Sequence, residues 1–289
     1  MLDIDGLTSY HLHIMKLAVC NELFEGWPLE KAFKAIAESG YSGVEIAPFT
    51  LTDSSFNLSA SQRAYIRKTA EDYGLRIIGF HWLLARTEGL HITHPEISVR
   101  SATSNYLVKL AECCADLGGH TMVFGSPKQR NVLPGVSQSQ AWNYAKDTFL
   151  LTAERIQKYN VTLCIEPLGP EETNFINTAE DAIRLLKEVN HPNFKMVLDV
   201  KAMSTESRPI SDIIESSAGY FVHFHANDAN RRGPGFGKTD FAPITASLKK
   251  IGYDGWISVE VFDFSPDPQT VAAKSADYLR KFFINDSSR

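Results

Sequence analysis

Short apolar runs alternate with longer amphipathic stretches along the whole chain. The apolar runs are rich in β-branched residues, which is typical of buried β-strands. The stretches between them repeat apolar residues at helical spacing, and several are closed by a glycine, for example Gly40, Gly74 and Gly252. The pattern predicts eight strands, which in chain order are MKLAVC, GVEIA, RIIGFHWL, HTMVFG, VTLCIEP, KMVLDV, YFVHFHAND and WISVEVF.

Several of the predicted helices carry their own boundary signals. Pro28 stands where a helix favours its first residue, before LEKAFKAIAES. Ser59 or Ser61 is expected to cap the helix that ends near Gly74. Thr178, with Asp181 three residues later, resembles a capping box that opens AEDAIRLLKEV. These signals support a repeating strand–helix organisation.

Eight strand–helix units follow one another without a long linker or a low-complexity tract. Such repetition favours a closed barrel, and the G-x-G-x-x-G fingerprint of open nucleotide-binding sheets is absent after the first strand. The sequence therefore predicts an α/β protein with a single (β/α)8 domain, a TIM barrel, over residues 1–289. Residues 1–14 are expected to form an N-terminal extension, and residues 285–289 a frayed tail.

The composition of the chain argues against nucleic acids and membranes as partners. The chain has 289 residues, 44% of them hydrophobic, which suits a barrel of about 250 residues. Its net charge is −5 and no basic run occurs, which argues against a nucleic-acid partner. No apolar run approaches the roughly 20 residues of a membrane span, and the N-terminus lacks a secretory pattern. We therefore expect no membrane partner, a cytoplasmic location and buried, reduced cysteines.

Four polar residues stand at the ends of the last four predicted strands, where barrels carry their chemistry. We call them the ligand cluster: Glu166, Asp199, His225 and Glu260. Three carboxylates crowded into one pocket repel each other, and a divalent cation removes that cost. Oxygen-rich ligation with one imidazole suits one divalent metal ion, Mn²⁺ first, with Mg²⁺, Co²⁺ or Zn²⁺ as alternatives. A buried hydrogen-bond network without metal is the competing interpretation.

Such a site predicts proton transfer next to a carbonyl. A metal that grips a carbonyl and the adjacent hydroxyl acidifies the hydrogen between them and stabilises the resulting enediolate. Glu166 and Glu260 come from strands that are not neighbours, so we expect them to flank the substrate as base and acid. The sequence thus predicts an isomerase or epimerase that acts on a ketose-like sugar or polyol.

The ligand cluster resembles the metal site of the D-tagatose 3-epimerase and D-psicose epimerase group, within the xylose-isomerase-like TIM-barrel superfamily, and the resemblance covers nearly the whole chain. It implies that Glu166 and Glu260 exchange the substrate proton. It also implies substrate contacts for Glu172 and Arg231, which resemble the group's substrate-binding Glu and Arg. Ala202 departs from the group, which carries a substrate-contacting His three residues after the Asp ligand. This departure leaves the particular ketose open.

Further candidates lie near the predicted strand ends. His81 and Trp82 end the third strand and are expected to contact and wall the substrate. Glu45, in the second strand, is a candidate for a substrate contact or an ion pair. His223 is interpreted as a packing or supporting residue one layer below His225. Three loop bases would suit a phosphate, although bases in loops are typically solvated: Lys128, Arg130 and Arg232.

Other functions stay open at this stage. A lyase of the inosose dehydratase type would use the same metal and carboxylates, and Ala202 keeps this alternative open. An abasic-DNA endonuclease needs more His and Asp ligands and a basic face, which the chain lacks. A non-catalytic sugar-binding barrel would be expected to lose one of the paired glutamates, and both are present. The expected partner is a small sugar or polyol, and a homo-oligomer is compatible with barrels of this type.

Overall fold

A computed structural model describes residues 15–52 and 57–283 of the chain, so the predicted N-terminal extension and tail lie outside the described residues. Eight parallel strands close into a barrel in chain order, with the first strand paired to the last. This confirms the predicted TIM barrel. The strands are β1 (Lys16–Cys20), β2 (Gly43–Ile46), β3 (Arg76–Phe80), β4 (Thr121–Phe124), β5 (Thr162–Ile165), β6 (Phe194–Asp199), β7 (Phe221–Ala226) and β8 (Trp256–Val259).

Amphipathic helices connect the strands and bury one face each. In the described part of the chain they are α1 (Leu29–Glu38), α2 (Ala60–Asp72), α3 (Ile97–Asp116), α4 (Gln138–Ile156), α5 (Ala179–Val189), α6 (Val200–Met203), α7 (Ile210–Ser216), α8 (Phe241–Lys250) and α9 (Pro268–Phe283). None of these helices combines the length and the apolarity that crossing a bilayer requires.

Local signals in the sequence set several helix boundaries. Ser59 caps α2, because its hydroxyl accepts the backbone N–H of Gln62 while the Gln62 side chain accepts the N–H of Ser59. Thr178 caps α5 by accepting the backbone N–H of Asp181 at 3.1 Å. Gly40 follows α1 with φ +83°, a left-handed conformation that glycine adopts without strain. The caps predicted at Ser59 and Thr178 are therefore confirmed, and of these two it is Ser59 that forms the reciprocal capping box.

The hydrophobic pattern failed to predict the two helices in the connection between β6 and β7. None of the helices named from the sequence falls there, yet α6 and α7 do. α7 has seven residues and buries only Ile213 and Ile214, which is too short a stretch for a helical period to be recognised. α6 is a single turn capped by Asp199, whose side chain accepts the N–H of Ala202.

The barrel is packed on both sides of its sheet. Side chains alternate along each strand, so Val123, Cys164 and Val197 form a small cluster of their own, separate from the main core. The main core includes Phe149 of α4, which is fully buried and is flanked by two aromatic rings of the sheet. Its ring centroid lies 5.3 Å from that of Phe124 and 4.8 Å from that of Phe194.

Replacing Phe149 by alanine should lower the free energy of unfolding by about 3–5 kcal/mol, because it empties a filled position between α4 and the barrel. Leu151 on the same helix is 41% exposed and provides the matched control. Leu151→Ala should cost less than about 1 kcal/mol. Urea denaturation of both variants tests the packing, and equal losses would contradict it.

Candidate active site

The ligand cluster converges at the carboxyl-terminal mouth of the barrel. Glu166 and Glu260 follow β5 and β8 directly, Asp199 ends β6, and His225 lies in β7. Asp199 and His225 are partners in the β6–β7 register, which places them side by side. One ligand atom from each of the four residues lies within 4.8 Å of every other, and all four side chains are buried. The structure thus brings together the four residues that the sequence singled out.

The cluster carries crowded negative charge. Nδ1 of His225 lies 3.1 Å from a carboxylate oxygen of Glu166 and 3.1 Å from one of Glu260. Burial and the charge of Glu260 raise the pKa of Glu166 to about 7. Burial and Glu260 also raise the pKa of Asp199. Burial lowers the pKa of His225, but Glu260 and Glu45 outweigh it and raise that pKa well above its ordinary value. The site therefore demands positive charge.

This donor set fits a divalent cation. It offers three carboxylates and one imidazole, without a thiolate, which suits an ion of the Mn²⁺, Mg²⁺ or Co²⁺ type. Nδ1 of His225 faces the carboxylates, and its Nε2 faces Glu45 instead. A histidine that ligates a metal commonly donates its other ring N–H to a carboxylate, so this orientation also suits a metal ligand.

Glu45 lies beneath the ligand cluster and is fully buried. Its carboxylate is 3.3 Å from Nε2 of His225 and 2.8 Å from Nε2 of His223, and it accepts a long contact from the thiol of Cys20. Burial opposes ionisation, but the two histidines outweigh it and hold the pKa of Glu45 well below its ordinary value. Of the two roles that the sequence left open for Glu45, a substrate contact or an ion pair, these contacts favour the ion pair, which orients His225. His223 supports Glu45 in turn.

Trp82 connects the pocket wall to Glu260. Its indole N–H donates to Oε1 of Glu260 at 2.8 Å, and its side chain is 37% exposed. Its backbone has φ 52°, an unusual conformation for a bulky residue and one that often marks functional positions. The ring stacks near Phe262 at 6.4 Å and tilts against Phe49 at 6.0 Å. Trp82 therefore both walls the pocket and holds one of its carboxylates.

Glu166 is held from two sides. A side chain at Gly125 would place its Cβ 2.4 Å from Oε2 of Glu166, so the carboxylate would have to move from its present position if Gly125 were replaced. Arg130 is fully buried, and its guanidinium donates to the carbonyl oxygens of Glu166 at 2.6 Å, Gly125 at 3.1 Å and Ile176 at 3.2 Å. The expectation that Arg130 is a solvated loop base was wrong, because three backbone carbonyls from two loops, those after β4 and β5, converge on it.

Two polar pairs flank the cluster. On one side Lys201 donates to Glu172 at 2.7 Å, and the ammonium also lies 4.3 Å from the Phe262 ring centroid. Arg231, exposed at the mouth, lies 5.4 Å from the same ring. On the other side Nε2 of His81 lies 2.6 Å from Oε2 of Glu22. These pairs place polar groups beside the cluster, one after β5 and β6 and the other after β1 and β3.

Two functional side chains were not assigned a site role from the sequence. Glu22 lies in a 3-10 turn, Asn21–Phe24, just after β1, and no strand period points to it. Asn227 lies just after β7, donates to Asp199 and accepts the N–H of Lys201 at 2.7 Å. The position of Glu22 directly after a strand was the one available signal, since barrels place their chemistry there.

A closed parallel barrel with an acid-rich cluster at the carboxyl ends of its strands is the arrangement of a barrel enzyme. The family model described as xylose isomerase-like TIM barrel matches residues 33–282, and the chain belongs to this family. D-Psicose 3-epimerase of Agrobacterium fabrum is 25% identical over 229 residues, which cover 78% of this chain and 77% of that protein.

Two further similarities extend over more of the chain. Fructoselysine 3-epimerase of Escherichia coli O157:H7 is 22% identical over 268 residues, covering 90% of this chain and 95% of that protein. A crystal structure of D-psicose 3-epimerase in the presence of D-fructose matches with a TM-score of 0.82 and 21% identity, over 93% of this chain and 99% of that one. The named relatives are sugar epimerases, and this chain is accordingly an enzyme of that class. The dehydratase alternative gains no support from these comparisons.

Replacing Glu45 by alanine should weaken Mn²⁺ binding by about 10-fold to 100-fold, because His225 loses the acceptor that fixes its orientation. Glu45→Gln keeps an oxygen acceptor and should lose less Mn²⁺ affinity than Glu45→Ala. Isothermal titration with Mn²⁺, together with the melting temperature of each variant, measures this. Unchanged Mn²⁺ affinity with a raised KM would instead support a direct substrate contact.

Proposed function

We propose that the chain is a ketose epimerase dependent on a divalent metal, with Mn²⁺ as the preferred ion, and that it inverts the carbon next to the substrate carbonyl. The observation that carries the proposal is the placement of Glu166 and Glu260. They come from β5 and β8, which are not neighbours, yet both carboxylates lie 3.1 Å from one imidazole nitrogen. The names of the relatives, which are ketose 3-epimerases and a fructoselysine 3-epimerase, support the substrate class.

The ligand cluster would hold the cation. When bound, a divalent cation polarises the substrate carbonyl and acidifies the adjacent C–H bond. Glu166 and Glu260 then act on that carbon from two sides: one carboxylate removes the proton and the other returns a proton to the opposite face. Transfer between opposite faces inverts the carbon. A pair of carboxylates therefore favours epimerisation over a shift of the carbonyl, for which one base on one face is sufficient.

The surroundings keep both carboxylates in place while the proton moves. Trp82 donates to Glu260, and Arg130 holds the backbone carbonyl of Glu166. Trp82 and Phe262 form an apolar wall beside the cluster, which would limit the access of water to the reacting carbon. We assign His81, Trp82, Glu172 and Arg231 to the substrate pocket, and Glu45 to the support of His225.

Ala202 distinguishes this pocket from that of the epimerase group that the sequence resembles. Ala202 is buried and contributes its backbone N–H to Asp199. The neighbouring Lys201 has a nearly buried side chain that pairs with Glu172, so an ammonium group lies in this part of the site, which has no imidazole at position 202. We infer that the range of ketoses accepted differs from that of these relatives, while the proton-transfer groups are the same.

Glu260→Gln should reduce deuterium incorporation from solvent into a ketohexose by roughly 100-fold to 10,000-fold, because the amide cannot accept or return the proton. The protein should remain folded and should keep part of its affinity for Mn²⁺. Exchange followed by NMR with Mn²⁺ present measures this. Glu188, which accepts a hydrogen bond from Trp142 away from the pocket, provides the control Glu188→Gln. Near-normal exchange in Glu260→Gln would exclude the catalytic role.

Removal of the metal should abolish exchange and lower the melting temperature, since a ligand at 100 times its Kd stabilises the folded state by about 2.7 kcal/mol. Mn²⁺ added back to the chelated protein should restore both. Asp199→Ala should lose most of the thermal stabilisation by Mn²⁺ and remain folded without it. Elemental analysis gives the metal content, and an unchanged content in Asp199→Ala would contradict the ligand assignment.

A further inference from the structure

We propose that Glu22 and His81 form a subsite that binds the hydroxyls at the far end of an uncharged sugar chain. This inference rests on the proposed function, because it assumes that the middle of the substrate lies at the ligand cluster. It adds a residue, Glu22, to the pocket and specifies the chemistry of one end of the substrate.

The pair is built into the barrel mouth. Glu22 lies in the turn directly after β1, and His81 follows β3 directly. Both side chains are buried, with 3% of Glu22 and none of His81 exposed. Nε2 of His81 and Oε2 of Glu22 are 2.6 Å apart, which is a short hydrogen bond between an imidazole and a carboxylate. Their geometry is therefore fixed by the fold.

Each partner keeps one polar atom unused. Oε1 of Glu22 and Nδ1 of His81 are buried and have no hydrogen-bond partner within residues 15–52 and 57–283. A buried polar atom without a partner costs about 1–3 kcal/mol, and more when the group is charged. We assign these two atoms, an acceptor and a ring nitrogen without partners beside the ligand cluster, to hydrogen bonds with a bound ligand.

The pair touches the reactive cluster without being part of it. One ligand atom each of Glu22, His81 and Glu260 lies within 4.8 Å of the others. The oxygens of Glu260 are already engaged, Oε1 by Trp82 and Oε2 toward Nδ1 of His225. Glu260 is already assigned to the cation of the ligand cluster, and Nε2 of His81 is already paired with Oε2 of Glu22, so we assign the remaining atoms of the pair to a hydrogen-bonded ligand and leave a second metal as an outcome of the test.

The barrel order places the pair opposite the other polar end of the pocket. Glu172 and Lys201 follow β5 and β6, while Glu22 follows β1 on the far side of the closed eight-stranded barrel. A sugar substrate whose middle carbons are held at the ligand cluster would extend toward both pairs. Glu22 and His81 therefore face the end that the Glu172–Lys201 pair does not reach.

The charge of this end selects against phosphate. The pair offers a carboxylate oxygen and lies next to a second carboxylate, that of Glu260. A phosphate dianion would be repelled by both, whereas a hydroxyl can donate to Oε1 of Glu22. We infer that the far end of the substrate carries free hydroxyls and is not phosphorylated.

The test compares ligands that differ only in length. Binding of a hexitol and of a tetritol to the Mn²⁺-loaded protein is measured by saturation-transfer NMR, and deuterium exchange is measured for a ketohexose and a ketotetrose. Glu22→Met should weaken the binding of the six-carbon compounds by roughly 10-fold to 100-fold. Binding of the four-carbon compounds should not change, because only the longer sugar chain reaches the subsite. Glu22→Gln retains an oxygen acceptor, so its affinity for the six-carbon compounds should lie between those of the wild-type protein and Glu22→Met.

Glu25 lies on the same segment and pairs with Arg86 at the surface, so Glu25→Gln is the matched control and should change neither ligand. Equal losses for long and short ligands would overturn the proposal in favour of a structural role. A second equivalent of Mn²⁺ that disappears in Glu22→Met would overturn it in favour of a metal site. Preference of the wild-type protein for a ketose phosphate over the free ketose would also overturn it.

The outcomes separate this inference from the proposed function. If the wild-type protein exchanges no ketose proton but still binds hexitol more tightly than tetritol through Glu22, the epimerase proposal fails and the subsite stands. If exchange is normal but length has no effect on binding, or no polyol binds, the subsite is overturned. Should Glu22→Met fail to fold, the comparison of Glu22→Gln with His81→Gln, each checked by its melting temperature, decides the question.

Discussion

The crowding of buried negative charge at the barrel mouth is the constraint on which the site depends. The ligand atoms of three carboxylates and one imidazole lie within 4.8 Å of one another, and Glu45 adds a fourth carboxylate beneath them. Two like charges 4 Å apart repel by about 4 kcal/mol at the effective dielectric of a protein surface. Such a site is stable only if positive charge neutralises it, and the surrounding scaffold prevents the acids from moving apart.

The scaffold does this through the backbone as much as through side chains. Gly125 leaves space for the carboxylate of Glu166, and Arg130 ties three loop carbonyls together behind it. Asn227 bridges Asp199 to the backbone of the next helical turn. Each acid thus has a separate support on a separate strand, so the loss of one support should disturb one ligand and leave the barrel intact.

The sequence predicted the features that depend on hydrophobic periodicity and on the order of the elements along the chain. It missed the features that depend on how the strands are staggered in the closed barrel. Eight strands and the residues at their ends follow from local patterns, so the ligand cluster was visible. Whether a residue inside a strand faces the mouth depends on barrel shear, which a single sequence does not reveal, and Glu45 therefore lay deeper than expected. Glu22 sits in a turn without periodicity, and Arg130 is buried by contacts between loops that are distant in sequence.

The side chains that we assign to substrate recognition are not those of the ligand cluster, which explains how such a site can change substrate. The residues that we assign to proton transfer and metal binding lie in or directly after β5 to β8, while Glu22 and His81 follow β1 and β3. Ala202 lies three residues after Asp199, where the epimerase group that the sequence resembles carries a His, and its backbone N–H still donates to Asp199. We therefore expect residues beside the cluster to set the substrate range, because these can change without disturbing the balance of charge at the ligand cluster.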